Sequence, residues 1–156
     1  MIKVLFVCLG NICRSPMAEG LMKKRLKELN LSESIHVESR ATSSYEIGQP
    51  PHPKTNAILK REGALLTGKT AKRITQIDFE QFDYIIGMDM ENVQDLKEKA
   101  GTHKDKIYLF RDMGSSIKGL EVPDPYYSGK YEETFNLINT SLDHWIHHLI
   151  KSNDSY

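Results

Sequence analysis

An apolar run that passes directly into a short loop and a proline constrains this chain more than any other feature. Residues Ile2–Val7 are mostly apolar and predict a central strand that is buried on both faces. The loop that follows reads Cys8-Leu9-Gly10-Asn11-Ile12-Cys13-Arg14-Ser15, and Pro16 comes next. Because serine is a favoured N-cap and proline a favoured first helical residue, Ser15 and Pro16 are predicted to open a helix.

The chemistry of this loop suits a bound phosphate. Gly10 and Asn11 can adopt left-handed conformations that turn successive backbone N–H groups inward. Arg14 supplies a planar fork of donors that matches two phosphate oxygens, and the positive end of the following helix faces the same anion. These groups also favour the thiolate form of Cys8, which is the nucleophilic form of a cysteine. The loop residues predicted to surround the phosphate are Leu9, Gly10, Asn11, Ile12, Cys13 and Ser15.

Strand and helix signals alternate along the chain, which is typical of a parallel sheet covered on both faces. The predicted strands are Ile2–Val7, Ile35–Ser39, Asp83–Gly87 and Lys106–Phe110. The predicted helices are Met17–Leu29, Thr55–Arg61, Met90–Lys99 and about Tyr131–Lys151, with a loop over Ser43–Pro53. We therefore predict the α/β class, with one three-layer αβα domain over residues 1–156 around a central four-stranded parallel sheet. About the last five residues are expected to fray.

Charge and hydropathy argue against several classes of partner. The chain has 21 basic and 21 acidic residues, so no net charge draws it to nucleic acid or to a membrane surface. The first apolar run is interrupted by Gly10 and Asn11, so neither a signal peptide nor a membrane span is expected. The sequence leaves the oligomeric state open, with a monomer and at most weak self-association as the expectation.

The cysteine and histidine pattern points to a reducing compartment and to no metal. Both cysteines, Cys8 and Cys13, lie in the same loop, which argues against a disulfide framework and favours the cytoplasm. Neither cysteine has a matching second pair for a metal ion. His144, His147 and His148 lie together on the last predicted helix, where we expect exposed or rim histidines. We therefore expect no metal and no other cofactor.

Cleavage of a phosphate ester by a thiolate also needs a proton donor for the leaving group. One carboxylic acid can give that proton and later take one from water. Asp124 is the strongest candidate, because prolines on both sides make its loop stiff and Tyr126 and Tyr127 follow as possible walls of a pocket. The other aspartates considered are Asp78, Asp83, Asp89, Asp105 and Asp112.

These motifs together resemble the low-molecular-weight protein tyrosine phosphatases. The resemblance covers nearly the whole chain, and its most specific parts are Val4–Glu19 and Asp124–Tyr127. Its other parts are Ile47-Gly48, Phe82–Ile85 and Met88-Asp89. The resemblance implies that Cys8 is a nucleophile forming a phosphocysteine, that Arg14 holds the phosphoryl oxygens and that Asp124 is the general acid. It implies tyrosine-phosphorylated proteins as substrates and no metal or organic cofactor.

The resemblance also assigns supporting residues. It implies that Ser15 hydrogen-bonds to the Cys8 thiolate and that Asn11, assisted by Ser39, holds the loop in shape. Aromatic residues are placed at the rim of the site, where Tyr45, Tyr126 and Tyr127 could flank a phenyl phosphate. Some members of the family carry a histidine in the segment that here reads Thr67-Gly68-Lys69-Thr70-Ala71-Lys72, so a loop-bracing role from this segment is not expected.

Three other functions remain as alternatives. Related phosphoarginine phosphatases resemble this loop but carry threonine where this chain has Ile12, which favours phosphotyrosine. Arsenate reduction needs further cysteines, and none follows Cys13. A non-catalytic phosphoprotein-binding module would be expected to lack the nucleophile, the arginine or the acid.

Cys13 also predicts redox sensitivity. Its position five residues after Cys8 would let an oxidant convert the two cysteines to a reversible disulfide that protects Cys8. The alternative is that Cys13 is only a small buried residue.

Overall fold

The chain forms one parallel sheet. In the computed structural model, which describes residues 1–154, four strands pair in the order β2-β1-β3-β4, and every pair is parallel. The strands are β1 (Ile2–Cys8), β2 (Ile35–Ala41), β3 (Tyr84–Gly87) and β4 (Ile107–Leu109). The predicted four-stranded parallel sheet is confirmed, with each predicted strand shifted by at most two residues at either end.

Six α-helices accompany these strands in the described part of the chain. They are α1 (Arg14–Glu28), α2 (Pro53–Arg61), α3 (Gln76–Gln81), α4 (Met90–Ala100), α5 (Pro125–Ser128) and α6 (Tyr131–Asp154). The sequence prediction missed α3 and α5, which are too short to show a hydrophobic period. The signal for α3 lies in its capping box, in which Thr75 and Asp78 each accept a backbone N–H from the other.

The C-terminal helix is longer than predicted. Fraying was expected over about the last five residues, yet α6 continues through Asp154 and the Ser152 hydroxyl donates to the His148 carbonyl. The fraying prediction is therefore wrong for residues 152–154. The last two residues that this prediction covers, at positions 155 and 156, lie outside the described part of the chain.

Alternate residues of β1 pack on opposite faces of the sheet. Val4 and Phe6 belong to a core that includes apolar residues of α1 and α6, whereas Leu5 and Val7 pack with residues of α3 and α4. All four side chains are fully buried, which explains why β1 reads as a nearly continuous apolar run. The result is the predicted αβα arrangement of three layers, which is confirmed.

The strand order places the loop after β1 at a branch point of the sheet. The chain passes from β1 to β2 on one side and then crosses to β3 on the other side of β1. In parallel sheets, the crevice beyond such a branch, at the carboxyl ends of the strands, is where ligands bind. The loop from Cys8 to Arg14 begins at this edge. Within residues 1–154, no helix is long and apolar enough to span a bilayer.

Candidate active site

The loop after β1 is held by Asn11 and not by glycine. Asn11 adopts a left-handed conformation with φ of 58°, whereas Gly10 does not have a positive φ. The expectation of a left-handed Gly10 is therefore wrong. An asparagine tolerates this backbone better than most residues because its short polar side chain can hydrogen-bond nearby.

The helix that follows begins earlier than predicted. Helix α1 starts at Arg14, and its N-cap residue is Cys13, which makes no side-chain capping hydrogen bond. The prediction that Ser15 caps the helix is wrong, because the Ser15 hydroxyl lies 3.0 Å from the Cys8 sulfur and accepts a hydrogen bond from Asn11. Contacts within the fold have thus outweighed the local preference of serine for an N-cap.

A cleft of about 210 Å³ opens beside this loop. Its lining includes Cys8 and Arg14 from this loop and Asp124 from a distant segment, the three residues that the sequence assigns to catalysis. The other lining residues are Leu9, Gly10, Ile12, Cys13, Tyr45, Glu46, Tyr126 and Tyr127, of which only Glu46 was not among the predicted site residues. Asn11, Ser15 and Ser39 do not line the cleft, because they lie fully buried behind it.

A chain of hydrogen bonds runs from Cys8 into the interior. The Asn11 amide nitrogen donates to Ser15 Oγ at 2.8 Å and to Ser39 Oγ at 2.9 Å. At one end of the chain Ser15 contacts Cys8 Sγ, and at the other end the Ser39 hydroxyl donates to Glu19 Oε1 at 2.5 Å. Asn11 is thus the link between the nucleophile and a carboxylate of α1.

The direction of this chain follows from the backbone. The Asn11 oxygen accepts the backbone N–H of Lys72 at 3.1 Å, so its NH₂ group must face the two serines. Each serine oxygen then accepts from Asn11 and keeps its own hydrogen to donate. Ser39 donates to the Glu19 carboxylate. The Ser15 hydroxyl has two acceptors within reach, the Cys8 sulfur at 3.0 Å and the Arg40 carbonyl at 3.4 Å, and donation to the nearer sulfur would stabilise a thiolate.

Arg14 is buried among negative charges. Its guanidinium donates to Asp89 Oδ2 at 2.6 Å and to the Val122 carbonyl at 2.9 Å, and it lies 3.5 Å from Asp124 Oδ2. Burial by itself lowers the pKa of Arg14, but the charges of Cys8, Asp89 and Asp124 outweigh it and raise the pKa. Arg14 therefore stays cationic and keeps a fixed orientation toward the cleft.

Asp89 was considered as a carboxylate but not assigned a role in the sequence prediction. It follows β3, and its Oδ1 caps helix α4 by accepting the backbone N–H of Asn92 at 2.7 Å. The other oxygen binds Arg14, so one side chain fixes both a helix start and the arginine. Its position after a predicted strand, at the same sheet edge as Cys8, is the signal that could have identified it.

Asp124 is the N-cap residue of α5. One of its oxygens accepts the backbone N–H of Tyr126 at 3.0 Å, while the other faces Arg14. Tyr126 and Tyr127 form an edge-to-face pair with ring centroids 5.4 Å apart, and both side chains are largely exposed, as is that of Tyr45. Exposed aromatic side chains therefore line the cleft together with the Asp124 carboxylate and the buried Arg14.

Cys13 meets a different environment from Cys8. It is as buried as Cys8, but its sulfur lies 3.5 Å from the Tyr131 hydroxyl, whereas the sulfur of Cys8 lies beside Ser15. Burial raises the pKa of the Cys13 thiol to about 11, and burial together with Cys13 also raises the pKa of Tyr131. Cys13 is therefore a protonated thiol near neutral pH.

Lys69 lies in the segment from which no bracing was expected. Its Nζ donates to the Ser39 carbonyl at 3.0 Å and lies 3.3 Å from Glu19 Oε1. The same segment supplies the Lys72 backbone N–H that binds Asn11. The expectation is therefore corrected: the segment contacts the support of the loop at two points, although it contains no histidine.

The contrast between the two cysteines predicts selective alkylation. At pH 7.5 we expect iodoacetamide to modify Cys8 and to leave Cys13 unmodified in the folded protein, because a thiol with a pKa of about 11 is almost fully protonated there. Peptide mass mapping after a short reaction measures both sites, and a sample unfolded in guanidinium is the control in which both react. Modification of Cys13 as fast as Cys8 in the folded protein would contradict this environment.

Comparison with known proteins identifies the family. The sequence model of the low molecular weight phosphotyrosine protein phosphatases matches residues 3–155. The phosphatase YfkJ of Bacillus subtilis is 42% identical to this chain over 144 residues, which cover 92% of each sequence. The crystal structure of YfkJ superposes on this chain with a TM-score of 0.93 and covers 97% of this chain and 96% of its own. The phosphatase PtpA of Staphylococcus aureus is 38% identical, covering 97% of this chain and 96% of its own. SP-PTP of Streptococcus pyogenes is 47% identical to this chain in sequence, and its crystal structure superposes with a TM-score of 0.84. The superposition covers 96% of this chain and 93% of SP-PTP. The chain therefore belongs to the low molecular weight phosphotyrosine protein phosphatases, as its sequence motifs predicted, and is a protein tyrosine phosphatase.

Proposed function

We propose that this chain hydrolyses phosphotyrosine through a phosphocysteine on Cys8, with Arg14 as the phosphate clamp and Asp124 as general acid and base. The observation that supports this most is the convergence of the three side chains in one cleft, with Arg14 held between Asp89 and Asp124. No metal or other cofactor is needed for this chemistry, because the loop itself provides the positive charge.

In the first step the Cys8 thiolate attacks phosphorus. An S–P bond forms, the P–O bond to the tyrosine oxygen breaks, and a protonated Asp124 gives its proton to that leaving oxygen. The negative charge of the transition state spreads over three equatorial oxygens, which Arg14 and the loop N–H groups stabilise. Ser15 stabilises the thiolate before the attack.

In the second step water releases the phosphate. Asp124, now ionised, takes a proton from a water molecule that attacks phosphorus, and the S–P bond breaks to regenerate the Cys8 thiolate. The products are inorganic phosphate and free enzyme. A single carboxylate can serve both steps because the leaving oxygen and the attacking water occupy the same side of the phosphorus.

The rim of the cleft favours an aryl phosphate ester. Tyr45, Tyr126 and Tyr127 are exposed at the mouth, where a phenyl ring of the substrate can pack between aromatic side chains. A shorter phosphoserine would not reach the sulfur at the floor of the cleft. Ile12 lines the cleft with an apolar side chain and supports phosphotyrosine over phosphoarginine.

The substrates proposed for this enzyme are tyrosine-phosphorylated proteins, with neither nucleic acid nor membrane as a partner. Both cysteines are free thiols, which supports action in a reducing cytoplasm. We propose that residues 1–156 form a single catalytic domain, since both cores pack on one sheet, and that it acts as a monomer with at most weak self-association.

Replacing the nucleophile tests the proposal directly. Cys8→Ser is expected to abolish hydrolysis of p-nitrophenyl phosphate while still binding phosphate, because the Arg14 side chain and the loop remain. Steady-state assays and calorimetric titration with inorganic phosphate measure the two properties. The same variant should retain a phosphotyrosine peptide in preference to a phosphoarginine peptide. Residual hydrolysis by Cys8→Ser comparable with the wild type, or a wild type without phosphatase activity, would reject the mechanism.

Replacing the acid should have a graded effect. Asp124→Ala is expected to lower kcat for a phosphotyrosine peptide by on the order of two to three decades, because the tyrosine oxygen then leaves without a proton. The loss should be smaller for p-nitrophenyl phosphate, since nitrophenolate is the better leaving group. Asp105→Ala removes an exposed aspartate just before β4, at the opposite end of the sheet, and is the matched control. Equal losses for the two substrates would contradict proton donation by Asp124.

We also propose that Cys13 protects Cys8 from irreversible oxidation. Hydrogen peroxide converts the Cys8 thiolate to a sulfenic acid, and the Cys13 sulfur then displaces the hydroxyl, so that a disulfide forms and water leaves.

Peroxide treatment tests this protection. Wild-type enzyme inactivated by peroxide is expected to regain activity in dithiothreitol, whereas Cys13→Ser is expected to recover far less because sulfinic acid accumulates on Cys8. Activity after reduction and the mass of the loop peptide are the measurements. Equal recovery of the two proteins would contradict a protective role for Cys13.

A further inference from the structure

Lys69 contacts the inner end of the hydrogen-bond chain that leads to Cys8. Its ammonium is bound to the Ser39 carbonyl and to Glu19 Oε1, the same oxygen that accepts the Ser39 hydroxyl. Only 11% of the Lys69 side chain is exposed. Lys69 does not line the cleft, so it can affect the reaction only through the residues that it touches.

Glu19 is bound by two lysines in different surroundings. Its second oxygen, Oε2, pairs at 2.6 Å with Lys23, whose side chain is 46% exposed. The pair with Lys23 is therefore screened by water and adds little, whereas the pair with Lys69 lies within the protein. The two lysines provide a natural comparison between a surface charge and an internal charge on one carboxylate.

The charge of Lys69 bears on the direction of the hydrogen bonds. A buried carboxylate without an internal cation tends to take up a proton. A protonated Glu19 could donate to Ser39, which already accepts from Asn11, and the Ser39 hydrogen would then lose its acceptor. Asn11 would be held less firmly, and so would the Ser15 hydroxyl that it orients toward Cys8.

The position of Lys69 carries an electrostatic cost that Glu19 offsets. Burial lowers the pKa of the Lys69 ammonium, and the neighbouring cations Arg40 and Lys23 act in the same direction. Glu19 opposes them through both charge and hydrogen bonding. Glu19 thus offsets part of the cost of burying the Lys69 charge behind the loop.

We propose that Lys69 is a positioning residue for phosphotyrosine hydrolysis, acting through Glu19, Ser39 and Asn11 on the orientation of the Ser15 hydroxyl toward Cys8. This inference rests on the proposed role of Cys8 as nucleophile. It assigns a function to a segment that provides no group to the cleft.

The test compares Lys69→Met with Lys23→Met. We expect Lys69→Met to lower kcat for p-nitrophenyl phosphate about tenfold, with KM nearly unchanged. A loss of about tenfold is at the lower end of the range expected when one hydrogen bond to a charged group is removed. The pH at which iodoacetate begins to inactivate Cys8 should rise in this variant, because the thiolate loses part of its stabilisation. Lys23→Met should leave kcat and this pH profile as in the wild type. Thermal unfolding followed by circular dichroism shows whether each variant is folded.

Two further variants separate positioning from folding. Lys69→Arg keeps the charge and should recover most of kcat, and it replaces Lys69→Met as the informative variant if the latter does not fold. If Lys69 acts through Glu19, then adding Lys69→Met to Glu19→Gln should lower kcat much less than it does alone. Independent, additive losses, or a Lys69→Met enzyme with the kcat and pH profile of Lys23→Met, would overturn the inference.

The outcomes also distinguish this inference from the proposed mechanism. If Cys8→Ser eliminates activity while Lys69→Met behaves as the wild type, the mechanism stands and only the role of Lys69 is rejected. If Cys8→Ser retains activity, the proposed mechanism fails, and the role of Lys69 fails with it.

Discussion

The side-chain amide of Asn11 is the interaction on which the site depends. A left-handed backbone costs a residue other than glycine roughly 1 kcal/mol, and three hydrogen bonds from a fully buried amide offset that cost. The same bonds fix which way the amide points, because its oxygen is taken by the Lys72 N–H. The Asn11 amide therefore sets both the shape of the loop and the direction of the hydrogen bonds. The chain of hydrogen bonds that it directs ends at the sulfur of Cys8.

The parallel sheet explains why distant segments meet at this loop. Cys8 ends β1, Asp89 follows β3, and the carboxyl ends of adjacent parallel strands share one edge. Arg14 begins α1 at the same edge and is therefore within reach of Asp89. Burying an arginine is costly unless its charge is paired, and here the paired carboxylates also hold it in position. The stability of the buried cation and its orientation have the same source.

How much the sequence could predict depends on whether a signal is local. The loop and β1 were predictable because their residues are consecutive, and Asp124 because prolines mark its turn. The contacts of Glu19 and Lys69 were not predictable, since 50 positions separate two residues that meet only after folding. The N-cap prediction for Ser15 failed for a related reason. Serine does favour the N-cap position, but the Ser15 hydroxyl contacts Asn11 and Cys8 instead of the helix backbone.

The two cysteines of the loop have different neighbours in the folded protein. Cys8 lies 3.0 Å from the Ser15 hydroxyl and close to the cation of Arg14. Cys13 is enclosed by apolar residues and by Tyr131, and burial holds its pKa at about 11. The sequence distinguishes them only by position, since Cys8 begins the loop and Cys13 directly precedes Arg14. The packing of α6 brings Tyr131 to Cys13 and not to Cys8, and this difference supports the proposal that Cys8 is the thiol that attacks phosphorus.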